Sequence, residues 1–337
     1  MAGFGRVPRT FGLREQRSAT SRGVLNDNAA MVELVDGIRR VTFGLPLGID
    51  HVHCYLVRGE EGWTIVDTGL GLPAIVEGWR ALLAELDGPV ERIVITHLHP
   101  DHVGAAADVA ELTGAPVLQG RLDHEECVRA WGPERPMRRW GDHMRAHGMP
   151  EPVVERLAAE SDSLRRYVHV VSEVVALDDG DLVGDWQVLD LPGHADGHVA
   201  LLREDGVLLA GDAILGGITP TIGLWPGGRP DPLADYQDSL RRLIEHAPRL
   251  ALAGHEDPIE DPVARARELL LHHEERLERT GATLTAGPRS AYDVSLELFP
   301  GTPISQHRFA LAEALSHLER LVFAGAAVRA DGLYAAA

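Results

Sequence analysis

Residues 96–105 read THLHPDHVGA, placing three histidines and an aspartate within six positions where the apolar run IVI ends. Imidazole nitrogen and carboxylate oxygen together suit first-row divalent ions, Zn²⁺ first and Fe²⁺ or Mn²⁺ as alternatives. His97 and His99 alternate by two, so an extended segment can aim both at one ion. Pro100 holds the turn, and Asp101 and His102 then face a second position. The same signature closes three other apolar runs: His194 follows VLDLPG, Asp212 follows VLLAG and His255 follows LALAG. A carboxylate such as Asp212 can bridge two cations roughly 3.5–4 Å apart. Gly193, Gly211 and Gly254 immediately precede their partners, and glycine permits tight, left-handed turns beside a crowded centre. Taken alone, the 96–105 cluster could also be a polar loop capping the next helix, but a single HxHxDH match already favours metal over that reading. Its recurrence at three further run ends favours metal.

The elements that must position these groups are short. VELVDGIRRVTFGL, CYLVRGE and WTIVDTG read as strands punctuated by glycine and charged turns. PAIVEGWRALLAEL has helical spacing with Pro73 near its start, and VGAAADVAELTG reads as a helix closed by Gly114. Residues 121–169 change to helical spacing rich in Arg, Glu and His, which predicts a helical insertion. Strand patterns resume in VVAL, WQVLDLPG, HVALLRE and GVLLAGDAIL. Asp231 is a candidate N-cap for a helix over DPLADYQDSLRRLIEHA, LALAGH reads as a last core strand, and Pro262 opens a long helix. Beyond residue 281 the order is helix, helix, hairpin. The alternation predicts a layered α/β protein.

Composition narrows the chemistry. The 337 residues can bury a large core plus an appendage. All 32 basic residues are Arg, so Schiff-base lysines and phosphate-loop lysines are excluded. The formal net charge of −19 argues against nucleic acid or an anionic membrane as the main partner. Cys54 and Cys127 are too few for a disulfide framework and read as buried thiols of a cytoplasmic protein. No apolar run approaches the roughly twenty residues of a membrane-spanning helix. Residues 1–30 read as a flexible, Arg-bearing extension.

In this order, THLHPDH, PGH, GD and GH resemble the metal motifs of the metallo-β-lactamase fold superfamily, over about residues 32–280. HVHCYLV, GLWPGGRPDPLADY and the tail look most similar to its glyoxalase II-like hydrolases. The resemblance implies a four-layer αββα sandwich over residues 31–280, with the insertion at about 121–169 and a winged-helix-like module over 281–337. It implies that His97, His99 and His194 hold one ion, that Asp101, His102 and His255 hold the other, and that Asp212 bridges them. Asp67, in VDTG, matches the family's acidic residue beneath the site and would orient a ligand histidine. His198, four residues past His194, is read as steadying a ligand by hydrogen bond, with an ordinary half-buried histidine as the equal alternative. Trp225 and Tyr236 flank a Gly/Pro-rich segment and are candidates for lining the substrate mouth. His272 and His273 read as solvated. Two departures stand out: His53 replaces a common Asn, and Glu256 replaces a common Gly, adding a carboxylate near the site.

The implied chemistry is hydrolysis by metal-activated water, with Asp101 orienting the nucleophile and accepting its proton. A small carbonyl substrate is expected, thioester first and lactone second. A glutathione thioester would want a basic patch that this acidic chain lacks. The competing readings are a nuclease or phosphodiesterase, favoured by the tail and opposed by the charge, a mononuclear iron enzyme oxidising persulfides, and a DNA-reading sensor. The tail is compatible with a homodimer.

Overall fold

The computed structural model describes residues 30–132 and 137–337. The N-terminal extension expected over residues 1–30 lies outside the described residues except for its last position. Seven strands form the first sheet: β1 (Ala30–Val35), β2 (Ile38–Gly44), β3 (His51–Arg58), β4 (Trp63–Val66), β5 (Val90–Ile95), β6 (Val117–Gly120) and β7 (Val175–Leu177), in that spatial order. Helix α1 (Pro73–Ala84) crosses from β4 to β5 and makes that pair parallel, while β1 to β4 are antiparallel neighbours. The helix expected after the histidine cluster comes in two pieces, α2 (Pro100–Val103) and α3 (Ala106–Thr113), the second closed by Gly114 at φ 70°.

The insertion supplies α4 (Arg121–Trp131), α5 (Met137–Ala146) and α6 (Glu151–Arg165). The second sheet follows in the order β12 (Leu250–Ala253), β11 (Val207–Gly211), β10 (Val199–Arg203), β9 (Trp186–Asp190) and β8 (Leu182–Val183). Helices α7 (Pro232–His246) and α8 (Pro262–Thr283) cover its outer face, and Asp231 caps α7 by accepting from the Ala234 N–H at 3.1 Å.

Alternation along the strands builds the layers. In β3, Val52, Cys54 and Leu56 face α1 and α3 with Trp79 and Val109, while Tyr55 and Val57 face the second sheet. In β9, Val188 joins that inter-sheet core and Leu189 packs against Leu233 and Leu240 of α7. The result is helix, sheet, sheet, helix, as expected.

The tail contains α9 (Ala291–Leu298) and α10 (His307–Phe323), with a small sheet of β13 (Arg289–Ser290), β15 (Leu333–Ala336) and β14 (Ala327–Ala330). It does not stand apart. Leu311 and Leu315 of α10 share a core with Met144 and Leu157 of the insertion. The same helix lies across α8, which corrects the reading of His273 as solvated: it is fully buried, with Nδ1 3.2 Å from Nε2 of His317.

Candidate metal centre

Strand direction delivers the chemistry to one rim. β4 and β5 are parallel with Val66 opposite Val94, so Asp67 and Thr96 emerge side by side. β11 and β12 are parallel with Gly211 opposite Ala253, which places Asp212 beside His255. β9 runs the same way as β11, since both are antiparallel to β10, and the loop after it carries His194.

Seven side chains converge there. His97, His99 and His194 present ligand atoms within 4.8 Å of one another, as do Asp101, His102 and His255, and as do His97, His102 and Asp212. Asp212 spans the two trios: its Oδ1 lies 3.5 Å from His102 Nε2, and its Oδ2 lies 3.3 Å from His255 Nε2 and 3.7 Å from His194 Nε2. Asp101 Oδ2 is 3.4 Å from His255 Nε2.

The outward nitrogens are fixed. His102 donates from Nδ1 to Asp67 Oδ2 at 2.8 Å, His194 from Nδ1 to the Thr221 carbonyl at 3.0 Å, and His255 from Nδ1 to the His51 carbonyl at 2.7 Å. Thr96 gives its hydroxyl proton to Asp67 and accepts from His97 Nδ1 at 3.0 Å. Four imidazoles therefore turn an Nε2 lone pair toward one small space. The buried Nε2 atoms of His102 and His194 and both oxygens of Asp101 and of Asp212 meet no hydrogen-bond partner of the described protein. Buried polar atoms are rarely left so. Acceptors aimed together in this way fit divalent cations, and the donor set is the nitrogen-plus-carboxylate mixture such ions accept.

Electrostatics agree. Burial opposes the charged form of Asp212, yet His255 and His102 hold its carboxyl well below the usual range. Burial likewise opposes charge on His255, but Asp212 and Asp101 push its pKa up to about 10. The carboxylates favour positive charge beside His255, while burial holds His97, His99 and His194 below the ordinary imidazole value.

Glycines make the approach possible. A Cβ at Gly254 would sit 2.5 Å from both Asp212 Oδ1 and His102 Cε1. Gly193, at φ 131°, would drive a Cβ to 2.4 Å from Cβ of Tyr236. This contact corrects the placement of Tyr236 at the substrate mouth. α7 turns it inward behind the His194 loop, fully buried, with its hydroxyl donating to the Ala213 carbonyl at 3.2 Å. Glu256 also differs from expectation: its carboxylate leaves the centre and accepts the N–H groups of Gly217 and Ile218 at 2.7 and 3.2 Å. His53 has both nitrogens engaged, donating to the Glu256 carbonyl and accepting from Thr42, each at 2.9 Å. His198 is fully buried, stacks on His97 and accepts the Asp212 N–H at 3.1 Å.

Sequence reasoning missed two supports. Thr96 links Asp67 to His97, and its only signal is a hydroxyl directly before the first histidine. Asp123 of α4, buried, accepts the Leu98 N–H at 3.1 Å and so fixes the segment between His97 and His99. Nothing local marks it.

A cavity of about 210 Å³ opens onto His99, Asp101 and His194. Its walls come from the insertion (Trp131, Leu164), from Trp225, and from Phe309 of α10. Trp225 thus lines the cavity, its ring 4.8 Å from that of Trp140.

The chain is similar to known proteins in sequence and fold. The family model described as the metallo-beta-lactamase superfamily matches residues 47–255, and that described as the metallo-beta-lactamase-like C-terminal domain matches residues 277–334. A crystal structure of a metallo-beta-lactamase family protein from Thermus thermophilus superposes with a TM-score of 0.80 at 37% identity, covering 90% of this chain and all of that one (100%). A Bacillus subtilis (strain 168) protein named "Probable metallo-hydrolase YqjP" is 28% identical over 297 residues, 82% of this chain and 89% of that protein. A Gallus gallus protein named "Acyl-coenzyme A thioesterase MBLAC2" is 31% identical over 210 residues, 58% of this chain and 68% of its own length.

Proposed function

The chain belongs to the metallo-β-lactamase superfamily, and from that premise we propose that it is a two-metal hydrolase of acyl thioesters, with lactones as the second substrate class. His97, His99 and His194 would hold one divalent ion and Asp101, His102 and His255 the other, with Asp212 between them. Zinc is the first choice, and iron or manganese suits the same donors. Such ions, when bound, supply water of lowered pKa and polarise an acyl oxygen.

The remaining work belongs to the chain. Asp101 orients the attacking water and takes its proton through Oδ1, the oxygen turned away from His255 Nε2, which lies 3.4 Å from Oδ2. Asp67 and the Thr221 and His51 carbonyls keep the imidazoles from rotating. The leaving thiolate needs no serine or cysteine partner, because no covalent intermediate is required.

The observation that carries the substrate reading is the cavity. Its apolar walls are Leu47, Leu98, Trp131, Leu164 and Phe309, charged side chains share the lining, and it reaches the metal-capable cluster. Such a space takes an apolar acyl group and excludes bulk water from the reacting carbonyl. The avian relative named as a thioesterase supports the same class. An aromatic-walled cavity on a chain of net charge −19 is a poor match for a polyanionic backbone, which ranks the nuclease reading second.

A panel of acyl thioesters, lactones, RNA and single-stranded DNA, offered to the metal-loaded protein, tests this. Thioester turnover is the expected result. Nucleic-acid cleavage without thioester cleavage would overturn the proposal.

A further inference from the structure

Three guanidinium groups reach the cavity, those of Arg129, Arg165 and Arg308, and two of them are already committed. Arg129 pairs with Glu126 at 3.6 Å. Arg165 spends Nη1 and Nη2 on the carbonyls of Ala130, Trp131 and Gly132, closing the end of α4. Arg308 differs. It donates from Nη1 to Ser161 Oγ at 2.5 Å, lies over the Phe309 ring at 4.7 Å, and pairs with no carboxylate among the described residues. Glu160, on the same wall, is paired with Arg156 at 3.2 Å.

Arg308 is partly exposed, and the carboxylates lining the same cavity outside the His/Asp cluster are engaged elsewhere, Glu126 with Arg129, Glu160 with Arg156 and Asp196 with the Arg229 N–H. A neutral hydroxyl is a weak counterpart, and it leaves the Nε and Nη2 edge of the fork unspent. That edge, beside a hydroxyl able to donate in turn, complements a planar carboxylate. Burial also draws the Arg308 pKa below the ordinary guanidinium value, Glu160 offsetting part of this. α10 therefore brings a cation into the same cavity that the His/Asp cluster closes.

We propose that Arg308, with Ser161, is a specificity-determining anion site that selects substrates carrying a carboxylate on an otherwise apolar acyl group. The proposal rests on the hydrolase reading above for the identity of the ligand as an acyl substrate. The preferred substrates are then thioesters or lactones of dicarboxylic acids, held by the distal carboxylate with the reacting carbonyl at the rim.

Calorimetric titration of the metal-loaded full chain with hexanedioate and with hexanoate tests it without turnover. Both acids offer one carboxylate to the rim, and only the first offers another to Arg308. Hexanedioate should bind about tenfold or more tightly, the ratio falling toward one in Arg308→Gln and partly surviving in Arg308→Lys. Equal binding by the unaltered protein, or a ratio indifferent to Arg308→Gln, would overturn the proposal and leave Arg308 as a tie between α10 and α6. Should Arg308→Gln melt early, Ser161→Ala replaces it, with a ratio reduced several-fold expected and an unchanged ratio counting against the site. The two acids as N-acetylcysteamine thioesters separate the readings. Preference in binding without hydrolysis sinks the hydrolase and keeps the anion site; hydrolysis without preference does the reverse.

Discussion

Asp67 Oδ2 accepts a hydrogen bond from His102 Nδ1 at 2.8 Å, while Oδ1 of the same carboxylate takes the Thr96 N–H at 2.8 Å. One buried side chain thus ties the end of β4 to the end of β5 and fixes which nitrogen of His102 faces the centre. Asp67→Asn should release that tautomer and weaken metal retention by roughly 10- to 100-fold. Competition against a chelator measures it. Retention equal to the unaltered protein would show that His102 is oriented by something else.

Gly254 has no room for a side chain, since its Cβ would press on Asp212 Oδ1 and His102 Cε1 at 2.5 Å. Gly254→Ala should therefore lose at least one ion per chain and cost about 1–3 kcal/mol of stability. Elemental content and thermal unfolding report the two effects separately. A variant with full metal and an unshifted melt would mean the rim relaxes around the methyl group.

Asp212 is the carboxylate shared by both trios. Asp212→Ala should lower kcat/KM for an acyl thioester by at least about 100-fold, because the two ions proposed for the trios would lose their common partner. Circular dichroism should show the secondary structure retained. Near-normal hydrolysis by this variant would refute a shared two-metal centre.

His317 tests the docking of the tail. Burial, with Arg276 acting the same way and the Glu313 carbonyl opposing, lowers its pKa to about 3 from an ordinary 6.5. The groups around it are Glu313 on its own helix and His272, His273 and Arg276 on α8. The folded imidazole resists a proton that the unfolded one accepts, so its contribution is complete above about pH 6.5 and is lost as pH falls toward 3. Between pH 7 and pH 5 the loss is about 2 kcal/mol. His317→Gln should flatten the pH dependence of unfolding free energy by roughly that amount. Parallel curves for the two proteins would contradict a buried, neutral His317.

The layers and the gathering of the seven residues were legible because each signal is local. An apolar run ending in Gly and then His or Asp says where a strand stops and what it presents. Asp231 and Gly114 announced a helix start and a helix end in the same way. Contacts between distant segments were not legible. Tyr236 looked like a substrate-mouth residue until the inward face of α7 set it against Gly193, and His273 looked solvated until α10 covered it. The cavity needs the insertion, the 225–228 turn and α10 together, so no stretch of sequence advertised Arg308.

Elemental analysis of the purified protein bears most directly on the central claim. Two divalent ions per chain, falling together with thioester hydrolysis on chelation and returning with it on reloading, is the predicted result. A single tightly held iron per chain, or hydrolysis that survives metal removal, would contradict the account.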